Sequence, residues 1–229
     1  MLLHAITLDL DDTLWPMAPT LRRAEALMQD WLRRHAPATV AAHDKAAWAA
    51  LRRGVVADRP DWAHDLSALR RETIRRALLA GGDDPALAGP AFDVFFDARQ
   101  QVDLFDDVLP ALARLAARWP VVALTNGNAD VHRVPGLGRH FHGMLSAHDL
   151  GLAKPAAAVF AAACQRAGAA PAHTLHVGDD PALDVDGALA AGLQAAWVRR
   201  PALPDIGAPT GVPHHVVASL TELADRLGV

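Results

Sequence analysis

The chain is poor in the features that mark several large classes of protein. It has one cysteine, Cys164, so no internal disulfide framework can hold it together. That residue ends the apolar run Val159-Phe160-Ala161-Ala162-Ala163-Cys164 and reads as a buried filler, not a reactive thiol. A reducing cytoplasm fits such usage. No basic block is longer than an arginine pair, and the formal net charge is −4. Nucleic acid and anionic membrane surfaces demand clustered Lys and Arg, so neither is expected as a partner. No run approaches the ~18 apolar residues of a membrane-spanning helix. The N-terminus lacks the basic region, apolar stretch and small-residue cleavage site of a secretory signal, and the mature protein is expected to be the whole chain. Internal repeats, low-complexity tracts and long linkers are missing too.

What remains is 229 residues, 52% hydrophobic and 21% charged, enough for one large core or a core plus a smaller domain. Leu2 to Leu8 is a compact apolar run, too short for a helix and followed at once by carboxylates. It reads as a central strand. Similar runs recur at Pro120–Leu124, Gly143–Ala147, Thr174–Val177, Ala195–Val198 and His215–Ala218, with helical patterns between most of them. That alternation predicts a Rossmann-like, doubly wound parallel sheet of the α/β class. Pro155 and Pro181 sit where a first helical position is expected, and Ser219-Leu220-Thr221-Glu222 reads as a capping box opening the last helix.

Residues 16–102 break the alternation. Arg22–Arg34, Ala41–Arg53, Leu66–Leu79 and Ala91–Arg99 show helical spacing of Leu, Ala, Trp and Phe, divided by breaks such as Gly81-Gly82-Asp83-Asp84-Pro85. The expectation is an inserted α-helical domain over 16–102, leaving after the first strand, and a core built from 1–15 and 103–229. The core resumes ahead of a helix over Val108–Arg118.

Four short polar segments carry the chemistry: Asp9-Leu10-Asp11-Asp12-Thr13, Thr125-Asn126-Gly127, Lys154-Pro155, and Gly178-Asp179-Asp180 followed by Asp184. Each sits at or just after an apolar run. In an open parallel sheet, residues just past the carboxyl ends of the strands face one crevice. Asp9 and Asp11, separated by one residue in an extended segment, point the same way. Adding Asp179 and Asp184 would make the pocket untenable without a cation, because like charges ~4 Å apart repel by roughly 4 kcal/mol at an effective dielectric near 20. Magnesium, a hard ion that takes oxygen ligands and keeps room for waters and a phosphate, suits such a cluster.

These segments resemble the haloacid dehalogenase superfamily of aspartate-nucleophile phosphatases. The first motif of that family corresponds to Asp9-Leu10-Asp11-Asp12-Thr13-Leu14, and the second, a strand ending in Thr or Ser, to Val121-Val122-Ala123-Leu124-Thr125-Asn126-Gly127. The third is Lys154 within Gly151-Leu152-Ala153-Lys154-Pro155, and the fourth Gly178-Asp179 with Asp184 and Gly187-Ala188 following. The resemblance covers essentially the whole core and implies that 16–102 is a helical cap of the kind inserted after the first motif. It implies that Asp9 attacks phosphorus to form an aspartyl phosphate, and that Asp11 protonates the leaving alcohol and then activates water. Thr125, the Asn126 backbone amide and Lys154 would hold the phosphoryl group; Asp9, Asp179 and the Asp11 carbonyl would bind Mg2+. Asp184 would lie behind the metal, orienting Lys154 or a metal-bound water.

Other residues carry plainer expectations. Asp12 and Asp180 read as structural, Asp180 as an N-cap before Pro181. His4, His173 and His176 flank or lie within strands, where satisfied core or edge histidines are commoner than ligands. Most tryptophans read as packing; Trp15, directly after the nucleophile loop, is set with Trp62 and Arg70 as a candidate for substrate selection. Arg22, Arg23 and Arg99 are further candidates in the insertion. The stretches Thr125-Asn126-Gly127-Asn128-Ala129, His176-Val177-Gly178-Asp179-Asp180 and Ala195-Ala196-Trp197-Val198-Arg199, with His64-Asp65-Leu66 and Arg70, are similar to bacterial flavin mononucleotide phosphatases of the superfamily. A small phosphorylated metabolite is therefore the expected substrate, flavin mononucleotide or another ribityl phosphate ahead of sugar phosphates. Sugar phosphomutases and the metal-independent hydrolytic dehalogenases of the same superfamily are the alternatives, with a non-catalytic binding member of the fold as a third. Asp11 and Asp179 favour phosphate over halide, and the presence of every motif residue favours catalysis over binding alone.

Overall fold

The computed structural model describes residues 2–229. Among these described residues, six strands form one sheet in the order β3-β2-β1-β4-β5-β6. They are β1 (Ala5–Leu8), β2 (Val121–Thr125), β3 (Gly143–Ser146), β4 (Thr174–Gly178), β5 (Gln194–Val198) and β6 (His215–Val217). Every neighbouring pair is parallel. β1 is central, with β2 on one side and β4 on the other, so the strand order reverses beside it. In such sheets the crevice for ligands opens past the carboxyl ends of the strands at that reversal.

The strands are apolar runs because both faces of the sheet are covered. Ile6, Leu8, Val121, Ala123, Leu175 and Val177 pack into one cluster with Leu112 and Leu115 of α6 (Val108–Arg118) and Leu220 and Leu223 of α10 (Leu220–Arg226). Residues of opposite parity, such as Leu124, Ala195 and Trp197, pack on the other face with Phe160 and Cys164 of α8 (Ala157–Ala167), which the short helices α7 (Ala147–Leu150) and α9 (Gly187–Ala190) precede and follow in the chain. Cys164 is buried, as its apolar run implied. Among the described residues no helix is long and apolar enough to cross a membrane.

The chain divides into two compact units, one of residues up to Met17 with Val102–Val229, the other Ala18–Gln101. The second unit is helical, with most of α1 (Met17–His35), then α2 (Pro37–Ala42), α3 (Lys45–Asp58), α4 (Leu66–Gly81) and α5 (Ala88–Arg99). Met28 and Leu32 of α1, Ile74 and Leu78 of α4, and Phe92 and Phe95 of α5 make its core. Asp65 caps α4 by accepting from the Ala68 amide at 2.8 Å, and Gly82, at φ +83°, ends that helix in the left-handed region.

Local details differ from the sequence expectations where a cap or a neighbour decided. Ala41–Arg53 is not one helix: Asp44 accepts from the Ala47 amide at 2.8 Å and starts α3 afresh after α2 has ended. Pro155 does not open a helix, since α8 begins at Ala157, whereas Pro181 does open a π-helical turn, Pro181–Asp186. Ser219 accepts from the Glu222 amide at 3.1 Å, but the Glu222 carboxylate reaches back to Ala218 at 2.8 Å, one residue earlier than a capping box requires.

Candidate active site

Asp9 follows β1 directly, and its amide donates to the Val177 carbonyl at 2.9 Å, carrying the β1–β4 pairing one step past the strand. The chain then turns sharply. Leu14 N–H reaches the Leu10 carbonyl and Asp12 N–H the Trp15 carbonyl, both at 2.8 Å. Asp12 adopts φ +59°, a left-handed conformation that Asp tolerates because its short polar side chain bonds locally. Here it accepts from the Met17 amide at 2.8 Å. Its role is structural. Trp15 packs into the core cluster, and its indole N–H donates to Asp11 Oδ1 at 2.9 Å. The indole therefore fixes the Asp11 side chain.

Lys154 is buried, and its ammonium donates to Asp9 Oδ1 and Asp184 Oδ1, each at 2.6 Å. Its backbone is clamped by the Asn126 carboxamide, which accepts from Lys154 N–H at 2.8 Å and donates to its carbonyl at 3.0 Å. Asn126 follows β2 immediately, so the end of one strand positions the lysine of a distant loop. Thr125, the last residue of β2, is buried, and its hydroxyl oxygen accepts from the Gly127 amide at 2.9 Å.

On the other side of β1, Asp179 follows β4. Its Oδ1 accepts from the Thr13 hydroxyl at 2.8 Å, and its carbonyl from the Trp197 indole at 2.8 Å. Asp180 caps the π-helical turn by accepting from Ala182 and Leu183 at 2.9 and 2.8 Å. Its side chain is committed there. The turn delivers Asp184 back under the strand end, where Oδ2 accepts from the Asp180 amide at 3.0 Å. Only glycine fits at 178: a Cβ there would lie 2.3 Å from Asp184 Cγ. Asp184 is held by three donors and cannot swing away, so Gly178→Ala is expected to cost roughly 1–3 kcal/mol of overpacking. At roughly 2–4 °C per kcal/mol, melting should fall measurably and activity with it, and an unchanged melt with full activity would contradict this geometry.

Asp9, Asp179 and Asp184 each offer a carboxylate oxygen within 4.8 Å of the others. An all-oxygen, all-anionic donor set of this kind fits a hard divalent cation. The electrostatics point the same way. Burial raises the Asp9 carboxyl well above its usual range, with Asp184 and Asp179 adding to the rise and only Lys154 opposing it. Asp179 is pushed up to about 7, by burial first and then by the charge of Asp184, against the Thr13 hydrogen bond. Burial acts on Asp184 too, but Lys154 and His176 beside it hold it well below the carboxylate range. The lysine ammonium pays for its own burial through Asp184 and Asp9, which keep it charged. Among the described residues one fixed cation thus faces three acids, two buried and one half-buried, an excess of negative charge that a metal ion would offset.

The Asp11 side chain is not among these three, and Asp184 is, in contact with Lys154 at the same time. In the helical unit, Trp62 lies under the Arg59 guanidinium, 3.3 Å from the ring centroid. Arg70 pairs with Glu25 at 2.7 Å and covers Phe95 at 3.6 Å, so it holds α1, α4 and α5 together.

His176 is the satisfied core histidine that the sequence led one to expect; what went unnoticed there is its contact with the carboxylate cluster. It is buried on the α8 face, edge-on to Phe160 at 5.1 Å. Nδ1 lies 2.8 Å from the Thr7 hydroxyl and Nε2 3.1 Å from Asp184 Oδ1. Burial lowers its pKa, so the neutral ring donates from Nε2 to the carboxylate and accepts the Thr7 proton at Nδ1. A histidine three residues before the acid at a strand end was the available signal.

The fold and this cluster place three acids and a lysine past the carboxyl ends of one parallel sheet, the arrangement of a hydrolase of the α/β class. The chain belongs to the haloacid dehalogenase-like hydrolases, whose family profile matches residues 3–192. It is similar to the 5-amino-6-(5-phospho-D-ribitylamino)uracil phosphatase YigB of Escherichia coli (strain K12), with 33% identity over 201 residues, 86% of this chain and 84% of that protein. A phosphoserine phosphatase of Thermus thermophilus is 35% identical over 141 residues, 59% of this chain and 57% of its own. Among solved structures, one described as 2-haloacid dehalogenase from Pseudomonas syringae pv. Tomato DC3000 superposes with a TM-score of 0.91 at 36% identity, covering 98% of each chain.

Proposed function

We propose that the protein is a magnesium-dependent phosphomonoesterase that works through an aspartyl phosphate on Asp9 and acts on a small metabolite phosphorylated on a ribityl chain. The observation that carries this is the pairing of two differently held acids: Asp9 against Lys154, and Asp11 held by the Trp15 indole. An acid and a nucleophile with separate anchors suit a reaction whose leaving group needs a proton. The ribityl phosphate is supported by the name of the E. coli relative and by the likeness to flavin mononucleotide phosphatases, flavin mononucleotide being itself a ribityl phosphate.

In the first step the Asp9 carboxylate attacks phosphorus, the phosphorus–oxygen ester bond breaks, and Asp11 gives its proton to the departing alkoxide. Water then attacks the aspartyl phosphate, losing a proton to Asp11; the phosphorus–oxygen bond to Asp9 breaks, and inorganic phosphate leaves. Thr125 and the Asn126 amide hold phosphoryl oxygens, and Lys154 stabilises the charge that develops on them. Asp9, Asp179 and the Asp11 carbonyl, with Asp184 close by, would hold magnesium, which supplies positive charge against both the carboxylates and the phosphate.

The dehalogenase structure supports a second reading, attack by Asp9 on a carbon bearing halide. Halide leaves without a proton, so that reaction makes no use of Asp11 as an acid. Assaying flavin mononucleotide, p-nitrophenyl phosphate and 2-chloropropionate, each with magnesium and with excess chelator, separates the two. Phosphate release that stops with chelator is expected; halide release that persists with chelator, without phosphatase activity, would reverse the assignment.

A further inference from the structure

Arg200, beyond the end of β5, is a buried guanidinium to which the steps above assign nothing. Its Nε and Nη2 donate to the Thr13 carbonyl at 3.0 and 2.7 Å, and Nη1 to Asp107 Oδ1 at 2.7 Å. Asp107 Oδ2 in turn accepts from the Leu220 amide at 2.6 Å, the first residue of α10. The Phe105 ring lies 4.3 Å from the guanidinium carbon, and Phe105 N–H donates to the Leu14 carbonyl at 3.0 Å. A buried charge is costly, and a single carbonyl does not need one. What distinguishes Thr13 is its other end, where the hydroxyl donates to Asp179 Oδ1 at 2.8 Å. Thr13 also lies within the tight turn between Asp11 and the Trp15 indole that holds Asp11.

We infer that Arg200 is a positioning residue for the reaction: its two-donor grip on the Thr13 carbonyl sets the Thr13 hydroxyl that aims Asp179 and the turn that presents Asp11. The planar fork matters, since two parallel donors fix a carbonyl's direction where a lysine ammonium fixes only its distance. This rests on the phosphatase reading and deepens it.

The test compares wild type with Arg200→Met, Arg200→Lys and Leu115→Ala, a buried apolar α6 residue with no side-chain polar atom to join the network around Thr13, which serves as a destabilised control. Magnesium affinity is measured by calorimetry on chelator-stripped protein without substrate, and kcat and KM for an aryl and an alkyl phosphate at saturating magnesium. For Arg200→Met, magnesium binding weakened roughly 10–100-fold is expected, the scale on which partners behind a metal ligand act. The alkyl phosphate should lose roughly tenfold more kcat than the aryl one, because a displaced acid matters most for a poor leaving group. Arg200→Lys should shift both readings in the same direction by a smaller factor, and it decides the matter if Arg200→Met does not fold. Leu115→Ala should lower melting with neither shift. A folded Arg200 variant with wild-type magnesium affinity and an unchanged aryl-to-alkyl ratio overturns the inference. Equal shifts in Leu115→Ala overturn it as well, by showing them to be consequences of lost stability. Wild type that binds no magnesium and hydrolyses no phosphomonoester overturns the phosphatase reading, and this role with it.

Discussion

Asp9→Asn is expected to abolish phosphate release, by roughly 10⁴-fold or more in kcat, while leaving the fold intact. The amide keeps the shape of the side chain and loses the attacking charge. Stability should move the other way or not at all. The Asp9 carboxylate is buried and faces Asp179 and Asp184, so its charge is unfavourable in the metal-free protein, and Lys154 keeps its second partner in Asp184 when that charge is removed. Without magnesium the variant should melt at the wild-type temperature or above it, a trade of stability for function common at active sites. Two measurements decide: turnover of flavin mononucleotide and p-nitrophenyl phosphate, and a thermal melt in chelator. Residual turnover within tenfold of wild type would remove Asp9 as nucleophile. A melt several degrees lower would show that its charge is a net support for the fold.

The second large effect is expected at Asp11. Asp11→Asn should lower turnover by roughly 10²–10⁴-fold, the range a positioned proton donor supplies, and leave affinity for phosphate analogues nearly unchanged. The loss should grow as the leaving alcohol becomes more basic, since an activated aryl oxide departs without help. Equal losses for aryl and alkyl phosphates in the first chemical step would mean that Asp11 is not the acid. Trp15 donates to Asp11 through its only polar atom, so Trp15→Phe should reproduce a weaker version of the same leaving-group dependence.

Much of the architecture was legible because burial leaves a periodic trace. A strand covered on both faces must be apolar at every position, which is how Val121-Val122-Ala123-Leu124 and Ala195-Ala196-Trp197-Val198 stand out. A chain whose apolar strands alternate with helices has few ways to pack other than a parallel sheet. The helical character of the insertion was legible for the same reason. Boundaries were less so: Asp44 and Pro155 are local signals whose meaning depends on which amides happen to be free nearby.

The sequence by itself determined the family, the parallel α/β core and the order in which acids, threonine and lysine follow their strands, because each of these depends on residues within a few positions of one another. Only the tertiary structure decided which groups share protons and charge. Lys154 and Asp9 are 145 residues apart, Thr13 and Asp179 are 166 apart, and Arg200 and Thr13 are 187 apart. Contacts over such distances leave no spacing to read, since they are set by strand order and by the few directions in which a buried polar group can find a partner. For that reason Asp184 is found in direct contact with Lys154, and His176 and Arg200, ordinary in the sequence, lie against Asp184 and Thr13.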